Sequence, residues 1–367
     1  MSCRVYATCD IGEAAFARLR EKGWRLEVFD NVEPPPKSLI VEKVRSGVDA
    51  LITTLRDRID EEVLAAGAAA SLKIVAQIAV GFDNIDRAAA NRYRIPFSHT
   101  ADVLTDATAE FAFFILGCVA RKTWPSEQMV REQTWSTWHP YLPWLGDEVT
   151  GRTLAVIGTG RIGKALVNKA VGFDMDVLCH DPVYEDDAFV RSVRSVMEVR
   201  HREGLCRRLQ KIEYVGFEEA LRRADFVSLH VPLVMPGEAA QATYHLMDER
   251  RLRLMKPSGY LVNTSRGPIV DEAALAKALL EGWIAGAALD VFEKEPLPAA
   301  SPLRDERLKL KLRMFHHFAS AARETRLSPD PDVGMAGRTV QAVIDVLEKR
   351  YGGDVKKMPY VVNKEAF

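Results

Sequence analysis

The chain has 367 residues, of which 50 are Lys or Arg, 51 are Asp or Glu and 47% are apolar. This length is too great for one hydrophobic core, so we expect two domains of roughly 150–200 residues each. The net charge of −1 gives no basic footprint for nucleic acid or anionic membranes. The longest apolar run, Phe111 to Ala120, is about half of what a bilayer span needs. Nucleic-acid-binding and membrane-spanning functions are therefore not expected.

The five cysteines are scattered at positions 3, 9, 118, 179 and 206, without a Cys-x-x-Cys pair. This pattern is unlike a disulfide framework or a structural zinc site, so we expect no metal and a reducing compartment. No long apolar stretch follows the first basic residue, Arg4, so no secretory signal is predicted. Together these features predict a cytoplasmic protein.

The first hundred residues alternate short apolar runs with stretches of helical period. Strands are predicted at Val5–Thr8, Leu26–Phe29, Ala50–Thr53, Ile74–Ala79 and Pro96–Ser98. Helices are predicted between them at Glu13–Glu21 and Lys37–Arg45. This alternation predicts a parallel sheet that is covered by helices on both faces. A long apolar helix follows over 105–121, with Asp102 or Thr105 as its cap.

A second alternating series begins near Thr153. Its strands are predicted at Leu154–Ile157, Val177–Cys179, Phe226–His230, Tyr260–Asn263, Ala287–Val291 and, more weakly, Arg313–Phe315. Another helix is predicted at Arg338–Lys349. We therefore expect an α/β protein with two parallel-sheet domains, joined by the long helix, and a C-terminal tail that returns to the first domain.

A glycine-rich turn joins the first strand of the second series to the helix Lys164–Gly172. The sequence there is Gly158-Thr-Gly160-Arg161-Ile162-Gly163. A strand, Gly-x-Gly-x-x-Gly and a helix together are typical of a dinucleotide-binding site, although a plain βα turn is the alternative. Asp181 lies 18 residues beyond Gly163, at the end of the next strand. Its carboxylate would accept ribose hydroxyls and repel a 2′-phosphate, so NAD is favoured over NADP.

Three later strands of the second series end in reactive side chains. Arg266 follows Tyr260–Asn263, Glu295 follows Ala287–Val291, and the pair His316-His317 follows the weak strand at 313–315. Ligands of open α/β sheets bind at the carboxyl ends of the strands. Taken singly, each residue also fits an ordinary surface or loop position.

The motifs around these residues resemble one family over nearly the whole chain. Residues 263–275 and 286–296, together with 80–86, 102–110 and 229–233, closely resemble the D-isomer-specific 2-hydroxyacid dehydrogenases. Within that family, residues 102–110, 135–140 and 361–365 look most like glyoxylate/hydroxypyruvate reductases. The resemblance implies two Rossmann-like or flavodoxin-like domains with the active site in the cleft between them. Residues 1–103 with 319–367 would bind substrate, and residues 104–318 would bind NAD.

The resemblance also implies roles for individual residues. Arg266 would grip the carboxylate and polarise the keto oxygen of a 2-oxo acid, since a guanidinium suits planar recognition. His317 would protonate that oxygen as NADH delivers hydride, and Glu295 would hold the imidazole and favour its charged form. Further substrate-binding positions would be Leu55, Val80, Gly81 and Trp138. Further cofactor-binding positions would be Gly158, Gly160, Arg161, Ile162, Gly163, Asp181, Thr108, His230, Pro232, Thr264 and Asp290.

Several features depart from the family pattern. His316 stands where the family has Pro, so His316 remains an alternative to His317 as the acid. The segment Val183–Tyr214 is longer than the family norm by roughly a dozen residues and is rich in arginine. It is either a solvated helical decoration or a flap over the adenosine end of the cofactor, which would admit NADP.

Tryptophans at 124, 135, 138 and 144 mark a subunit interface or a packed core, and the resemblance implies a homodimer.

Three functions remain open at this point. The first is an NAD-linked reductase of glyoxylate or hydroxypyruvate. The second, within the same family, is a phosphoglycerate or phosphite dehydrogenase. The third is a non-catalytic NAD-sensing scaffold like the corepressors that share the fold. A scaffold needs none of the chemistry of Arg266, Glu295 and His317, so their joint presence favours an enzyme.

Overall fold

The fold was analysed in a computed structural model, which describes residues 2–141, 145–238 and 241–367. The chain forms two compact units. The first consists of Met1–Leu104 and Ala321–Phe367, and the second is Thr105–Ser320. In the described residues, no helix is both long and apolar enough to cross a membrane.

The described residues contain twelve strands. They are β1 Arg4–Ala7, β2 Arg25–Val28, β3 Ala50–Thr53, β4 Ile74–Gln77, β5 Phe97–Ser98, β6 Thr153–Ile157, β7 Asp176–His180, β8 Ile212–Tyr214, β9 Phe226–Leu229, β10 Tyr260–Asn263, β11 Gly286–Leu289 and β12 Leu312–Met314.

Thirteen α-helices lie in the same described residues. They are α1 Glu13–Arg20, α2 Lys37–Arg45, α3 Glu61–Ala68, α4 Arg87–Arg92, α5 Thr105–Ala120, α6 Thr123–Arg131, α7 Arg161–Val171, α8 Asp187–Arg202, α9 Phe217–Arg223, α10 Glu249–Leu252, α11 Glu272–Glu281, α12 Arg323–Leu327 and α13 Met335–Leu347.

The sheet of the first unit is parallel throughout, in the order β2-β1-β3-β4-β5. Alternate residues of its central strands enter two different cores. Tyr6, Leu51 and Val75 pack with α2, α3 and α4, whereas Val5 and Ile52 pack with α1 and α13. Because both faces are covered, the central strands are apolar on both sides, as parallel sheets require.

The sheet of the second unit is also parallel, in the order β12-β11-β10-β9-β6-β7-β8. One face packs against α5, α7 and α8, and the other packs against α9, α10 and α11. The chain reverses its direction of winding at β6, which pairs with β7 on one side and β9 on the other. Such a switch point opens a crevice at the carboxyl ends of the strands, where ligands bind.

The expected two parallel-sheet α/β architecture is confirmed. The strand ends differ from the prediction: β4 ends at Gln77 rather than Ala79, β9 ends at Leu229 rather than His230, and β12 begins one residue earlier. Apolar residues just beyond a strand remain buried under loops, so hydrophobicity alone does not mark where the ladder stops. The long segment 183–214 contains α8 and β8, neither of which was predicted individually.

Candidate active site

The glycine-rich turn connects β6 to α7 at the switch point of the second unit. Gly158 has φ +94, and a Cβ atom there would lie 2.6 Å from the carbonyl oxygen of His230. A Cβ atom on Gly163 would lie 2.1 Å from the carbonyl oxygen of Gly158. A Cβ atom on Gly160 would meet nothing within 4 Å. Backbone atoms therefore crowd the turn at Gly158 and Gly163 but leave space at Gly160. This space lies beside Arg161 and Ile162, the first residues of α7, so a pyrophosphate could bind at the N-terminus of that helix.

Asp181 lies beside this turn, just after β7. Its Oδ2 accepts the backbone N–H of Thr159 at 2.9 Å and the Thr159 hydroxyl at 3.3 Å. Its Oδ1 accepts the N–H groups of Val183 and Tyr184, at 3.0 and 3.2 Å. Partial burial raises the pKa of Asp181, but these hydrogen bonds outweigh burial and hold the pKa below its ordinary value. The Asp181 carboxylate is therefore held as a negative charge beside the glycine turn, and such a charge would repel a ribose 2′-phosphate.

A cavity of about 650 Å³ opens next to Asp181. Its walls come from the ends of β6, β7 and β9, the start of α9, the segment before α10 and α10 itself. The lining residues are Ile157, His180, Pro182, Gly216, Phe217, Glu218, Glu219, Val231, Gln241, Ala242, Thr243, Leu246, Arg250 and Arg251. The size and the mixture of apolar walls with a few polar groups fit the adenosine part of a dinucleotide. The segment 183–214 contributes none of these lining residues, and so the flap interpretation gains no support here.

Four more predicted cofactor positions lie in the second unit. His230 Nε2 lies 2.8 Å from Ser228 Oγ, and burial lowers the pKa of His230 to about 4, which keeps the ring neutral. The carbonyl of Pro232 accepts the Thr243 hydroxyl at 2.6 Å. The hydroxyl of Thr264 is buried, with no hydrogen-bond partner among the described residues. Thr108 is also buried.

Arg266 is carried by the loop that follows β10. Fully buried Asn263 shapes this loop, because its Nδ2 donates to the carbonyl of Arg266 at 2.9 Å and its Oδ1 accepts the N–H of Ser265 at 3.0 Å. The guanidinium Nη1 donates to the carbonyl of Ser265 at 2.8 Å. The side chain of Asn263 therefore fixes the backbone from which the guanidinium extends.

The Arg266 loop touches the loop that follows β11. A Cβ atom on Gly267 would lie 1.8 Å from the carbonyl carbon of Phe292, so the two backbones meet where no side chain fits. Beyond this contact, Glu293 accepts the N–H of Glu272 at 3.0 Å, and Glu272 accepts the N–H of Glu293 at 2.8 Å. This reciprocal pair joins the start of α11, the helix that follows the Arg266 loop, to the loop of Glu295.

Glu295 and His317 are hydrogen-bonded. Glu295 Oε2 lies 2.9 Å from His317 Nδ1, and Oε1 accepts the N–H of Phe292 at 3.0 Å. Burial raises the pKa of Glu295, but the hydrogen bond and charge of His317, the N–H of Phe292 and the charge of Arg266 together outweigh burial and hold the pKa below its ordinary value. His316 is exposed, and its ring lies beside that of Phe318 with centroids 5.3 Å apart. It is thus His317, of the two adjacent histidines, that pairs with Glu295.

Asp290 holds the backbone around His317. The N–H of His317 donates to the Asp290 carbonyl at 2.8 Å, and the N–H groups of Phe318 and Ala319 donate to its carboxylate at 2.6 and 2.8 Å. These bonds hold the backbone where His317 has φ +56, an uncommon conformation for a residue other than glycine. Burial raises the pKa of Asp290, although the two amides oppose that shift. The predicted contact of Asp290 with the cofactor stays a prediction.

In the first unit, Val80 and Gly81 follow β4 in a tightly held turn. The carbonyls of Ala79, Val80 and Gly81 accept from Thr100 N, His99 Nδ1 and Gln77 Nε2, at 2.9, 3.0 and 2.8 Å. In a trans peptide the C=O and the next N–H point in opposite directions. The N–H groups of Val80 and Gly81 therefore point away from residues 99 and 100, as an anion-binding turn requires.

Other predicted substrate positions lie on the surface of their own units. Leu55 is 39% exposed, and the neighbouring Arg56 donates to the carbonyl of Val32 at 2.7 Å. Trp138 is 77% exposed, whereas Trp144 lies outside the described residues. In the described part of the chain, no group of three or more His, Cys, Asp or Glu side chains is arranged to hold a metal ion.

Sequence reasoning missed the residues that hold these groups in place. Asn263 and Gln77 are the last residues of apolar strands, and a buried amide at such a position is a signal for a hydrogen-bonding role. Thr159 was visible only as the variable second position of the glycine turn. Tyr214, Glu272 and Glu293 gave no sequence signal, because their partners lie far away along the chain.

Comparisons with known proteins agree with this architecture. The family model for the NAD binding domain of the D-isomer specific 2-hydroxyacid dehydrogenases matches residues 113–311. A glyoxylate reductase from Korarchaeum cryptofilum is 43% identical over 89% of each chain. One from Thermofilum pendens is 36% identical over 99% of this chain and 95% of its own. The crystal structure of the TT0316 protein from Thermus thermophilus has a TM-score of 0.80 and 34% identity, covering 98% of this chain and 99% of that one.

The switch-point glycine turn, the acid beside it and the neighbouring cavity are those of a dinucleotide-binding α/β protein, and the matched relatives place it among the oxidoreductases. The family model and the relatives match most of the chain, so the family itself can be stated. The chain belongs to the D-isomer specific 2-hydroxyacid dehydrogenase family, and its cofactor is NAD. The predicted family, its likeness to glyoxylate reductases, the enzyme class and the cofactor are thereby confirmed.

Proposed function

We propose that the protein reduces glyoxylate or hydroxypyruvate to the corresponding 2-hydroxy acid, with D configuration where the product is chiral. The Glu295–His317 pair carries this proposal, since Nδ1 of His317 lies 2.9 Å from Glu295. Glu295 accepts a hydrogen bond from Nδ1, and Nε2, on the opposite side of the ring, is the nitrogen that would meet the keto oxygen of the substrate. Arg266 extends from the loop before α11, and the first residue of α11 is bonded to the Glu295 loop. A guanidinium that can bind a carboxylate and an imidazole that can donate a proton, carried by neighbouring loops, suit a 2-oxo acid substrate.

His317 is the general acid in this proposal. Bound NADH supplies a hydride to C2 of the substrate. His317 Nε2 gives a proton to the keto oxygen, so the carbonyl becomes a hydroxyl and the imidazole becomes neutral. Glu295 stabilises the imidazolium before the transfer. In the reverse direction, the neutral imidazole accepts the hydroxyl proton.

Arg266 and the first unit bind the substrate in this proposal. The Arg266 guanidinium binds the carboxylate and polarises the keto oxygen. The outward N–H groups of Val80 and Gly81 also bind the carboxylate, and Leu55 and Trp138 border the substrate. The first unit is therefore the substrate-binding domain. The second is the NAD-binding domain, where the remaining predicted cofactor positions contact the dinucleotide.

A kinetic panel tests the proposed reaction. The protein is mixed with NADH and glyoxylate, hydroxypyruvate or pyruvate, and separately with NAD and 3-phosphoglycerate or phosphite. We expect the highest kcat/KM with glyoxylate or hydroxypyruvate, and chiral chromatography of the hydroxypyruvate product should give the D isomer. Faster oxidation of phosphoglycerate or phosphite would replace the proposed substrate. NADH binding without any turnover would favour the non-catalytic scaffold.

The proposal includes a homodimer in a reducing, cytoplasmic compartment. Large apolar side chains are exposed on α5, on α6 and after it, namely Phe114, Trp124, Val130, Trp135, Trp138 and Tyr141. Clustered exposed aromatics are typical of protein interfaces. All five cysteines are free, which fits a reducing compartment. Light scattering should give twice the chain mass of 41.0 kDa, and Phe114→Glu should give the single mass. A wild-type monomer at all concentrations would contradict the dimer.

A further inference from the structure

The long segment 183–214 is folded against the nucleotide-binding unit. Val190, Val193 and Met197 on α8 are buried in the core of that unit. Three of its arginines also bind within the unit. Arg194 donates to the carbonyl of Ile212, Arg200 to Asp174 and Arg208 to Asp176. The segment is therefore an integral part of the unit, and its last residue reaches the cofactor turn.

That last residue is Tyr214, at the end of β8. Its hydroxyl oxygen lies 2.9 Å from Oγ1 of Thr159. Thr159 is the residue between the first two glycines of the turn. The same oxygen accepts the backbone N–H of Asp186 at 2.9 Å. Asp186 caps α8, accepting the N–H of Phe189 at 3.0 Å, and it is paired with Lys164 of α7. One hydroxyl thus ties the start of the long segment to the glycine turn.

The proton positions in this chain of hydrogen bonds follow from its two ends. An ionised carboxylate only accepts, so the Thr159 hydroxyl, 3.3 Å from Asp181 Oδ2, donates its proton to Asp181. Thr159 Oγ1 is then free to accept, and the Tyr214 hydroxyl donates to it. The direction runs from Asp186 N–H through Tyr214 and Thr159 to Asp181. Each hydroxyl in the chain both donates and accepts, which strengthens the individual bonds.

This series of hydrogen bonds adds the Thr159 hydroxyl to the donors around Asp181. The carboxylate accepts from Thr159 twice and from Val183 and Tyr184 once each, so each of its two oxygens is held by groups of the surrounding loops. Asp181 is thereby held in one orientation at the cofactor turn. Without the Tyr214 hydroxyl, the Thr159 hydroxyl is free to rotate away, and Asp181 loses a fixed donor.

We propose that Tyr214 is a positioning residue for the dinucleotide, acting through Thr159 on Asp181, and that segment 183–214 thereby controls NADH affinity and the discrimination against NADPH. The inference rests on NAD binding and is independent of which 2-oxo acid is reduced. Tyr214 itself contacts neither the substrate nor the reacting atoms. Its hydroxyl fixes the conformation of the glycine turn before the cofactor binds. A binding site that is already in its bound conformation has a higher affinity for its ligand.

The test measures cofactor dissociation constants by calorimetry for the whole protein without substrate. Tyr214→Phe removes only the hydroxyl. We expect its NADH dissociation constant to rise roughly 3- to 10-fold, the usual value of one hydrogen bond. NADPH binding should weaken less, so the preference for NADH falls. Tyr260→Phe is the matched control, because it removes a hydroxyl that donates to Asp147 at 2.5 Å in the same unit. The control should leave the NADH-to-NADPH ratio unchanged.

A second variant tests the route through Thr159. Thr159→Val removes the acceptor for Tyr214 and the donor to Asp181 without changing the side-chain shape. If Tyr214 acts through Thr159, the double variant should bind NADH as weakly as Thr159→Val alone. Additive losses would overturn the route. Unchanged affinities and ratio in Tyr214→Phe, with or without a lower melting temperature, would overturn the proposal.

Discussion

The Nδ1 atom of His317 lies 2.9 Å from Oε2 of Glu295, on a backbone that Asp290 holds at three N–H groups. The carboxylate sets the ring orientation, and the bonds to Asp290 set the position of the residue. His316, one residue earlier, has neither support and is exposed. The two adjacent histidines therefore differ: the ring of His317 is oriented by Glu295, whereas that of His316 lies at the surface.

Replacing His317 should remove most of the activity. His317→Ala should lower kcat about 10²- to 10⁴-fold, the usual contribution of a general acid or base, with little change in NADH affinity. His316→Ala is the matched control and should keep kcat within about twofold, since its ring contacts only Phe318 among the aromatic side chains described. Steady-state kinetics with the best 2-oxo acid makes the comparison. A large loss in His316→Ala with a mild one in His317→Ala would place the acid at position 316.

Removing the charge of Glu295 should change both kcat and the acid stability. Glu295→Gln should lower kcat, because an amide stabilises the imidazolium less than a carboxylate does. The pKa of Glu295 in the folded protein lies below its ordinary value. Ionised Glu295 therefore stabilises the folded state fully at pH values above the pKa that it has in the unfolded chain, about 4.3. That effect is lost as pH falls through the lower, folded pKa. Urea unfolding should therefore show a wild-type advantage at pH 7 that shrinks toward pH 3. An advantage independent of pH would contradict this.

The sequence pointed to candidate reactive side chains more readily than to the groups that position them. Arg266, Glu295 and His317 each follow a parallel strand, and strand ends share one edge of the sheet, so their order along the chain pointed to a site. The Gly158–Gly163 turn was equally visible, because its spacing reflects local steric limits. Tyr214 and Thr159 meet across 55 residues, and no periodicity encodes such a contact. The same holds for Glu272 and Glu293, which resemble ordinary surface acids in the sequence.

Glu293 should matter for substrate binding although it touches no reacting atom. Its carboxylate accepts the first N–H of α11 at 3.0 Å and lies 3.2 Å from His245 Nε2. Glu293→Ala should lower the free energy of unfolding by about 1 kcal/mol, the usual value of a capping bond. It should also raise the KM for the 2-oxo acid more than it lowers kcat, because α11, which follows the Arg266 loop, loses its tie to the Glu295 loop. Lys294→Ala is the neighbouring control. Equal kinetic constants in both variants would contradict the coupling.

His99 offers a matched pair of substitutions for the Val80–Gly81 turn, which we propose binds the substrate carboxylate. Its Nδ1–H donates to the Val80 carbonyl at 3.0 Å, which turns the Gly81 N–H outward. Asn places its Nδ2–H where the Nδ1–H of His lies, whereas Leu has the shape of Asn without the donor. His99→Leu should therefore raise the KM for the 2-oxo acid roughly 3- to 10-fold, and His99→Asn should stay near the wild-type value.

The inhibitor oxamate separates this effect from catalysis, because it has the carboxylate of a 2-oxo acid and accepts no hydride. Its inhibition constant should rise with KM in His99→Leu, while the NADH dissociation constant stays unchanged. Equal losses in the Leu and Asn variants would show that another atom of His99 carries the effect. An unchanged inhibition constant in His99→Leu would show that the Val80–Gly81 turn keeps its shape without this bond, because Thr100 and Gln77 still hold the flanking carbonyls at 2.9 and 2.8 Å.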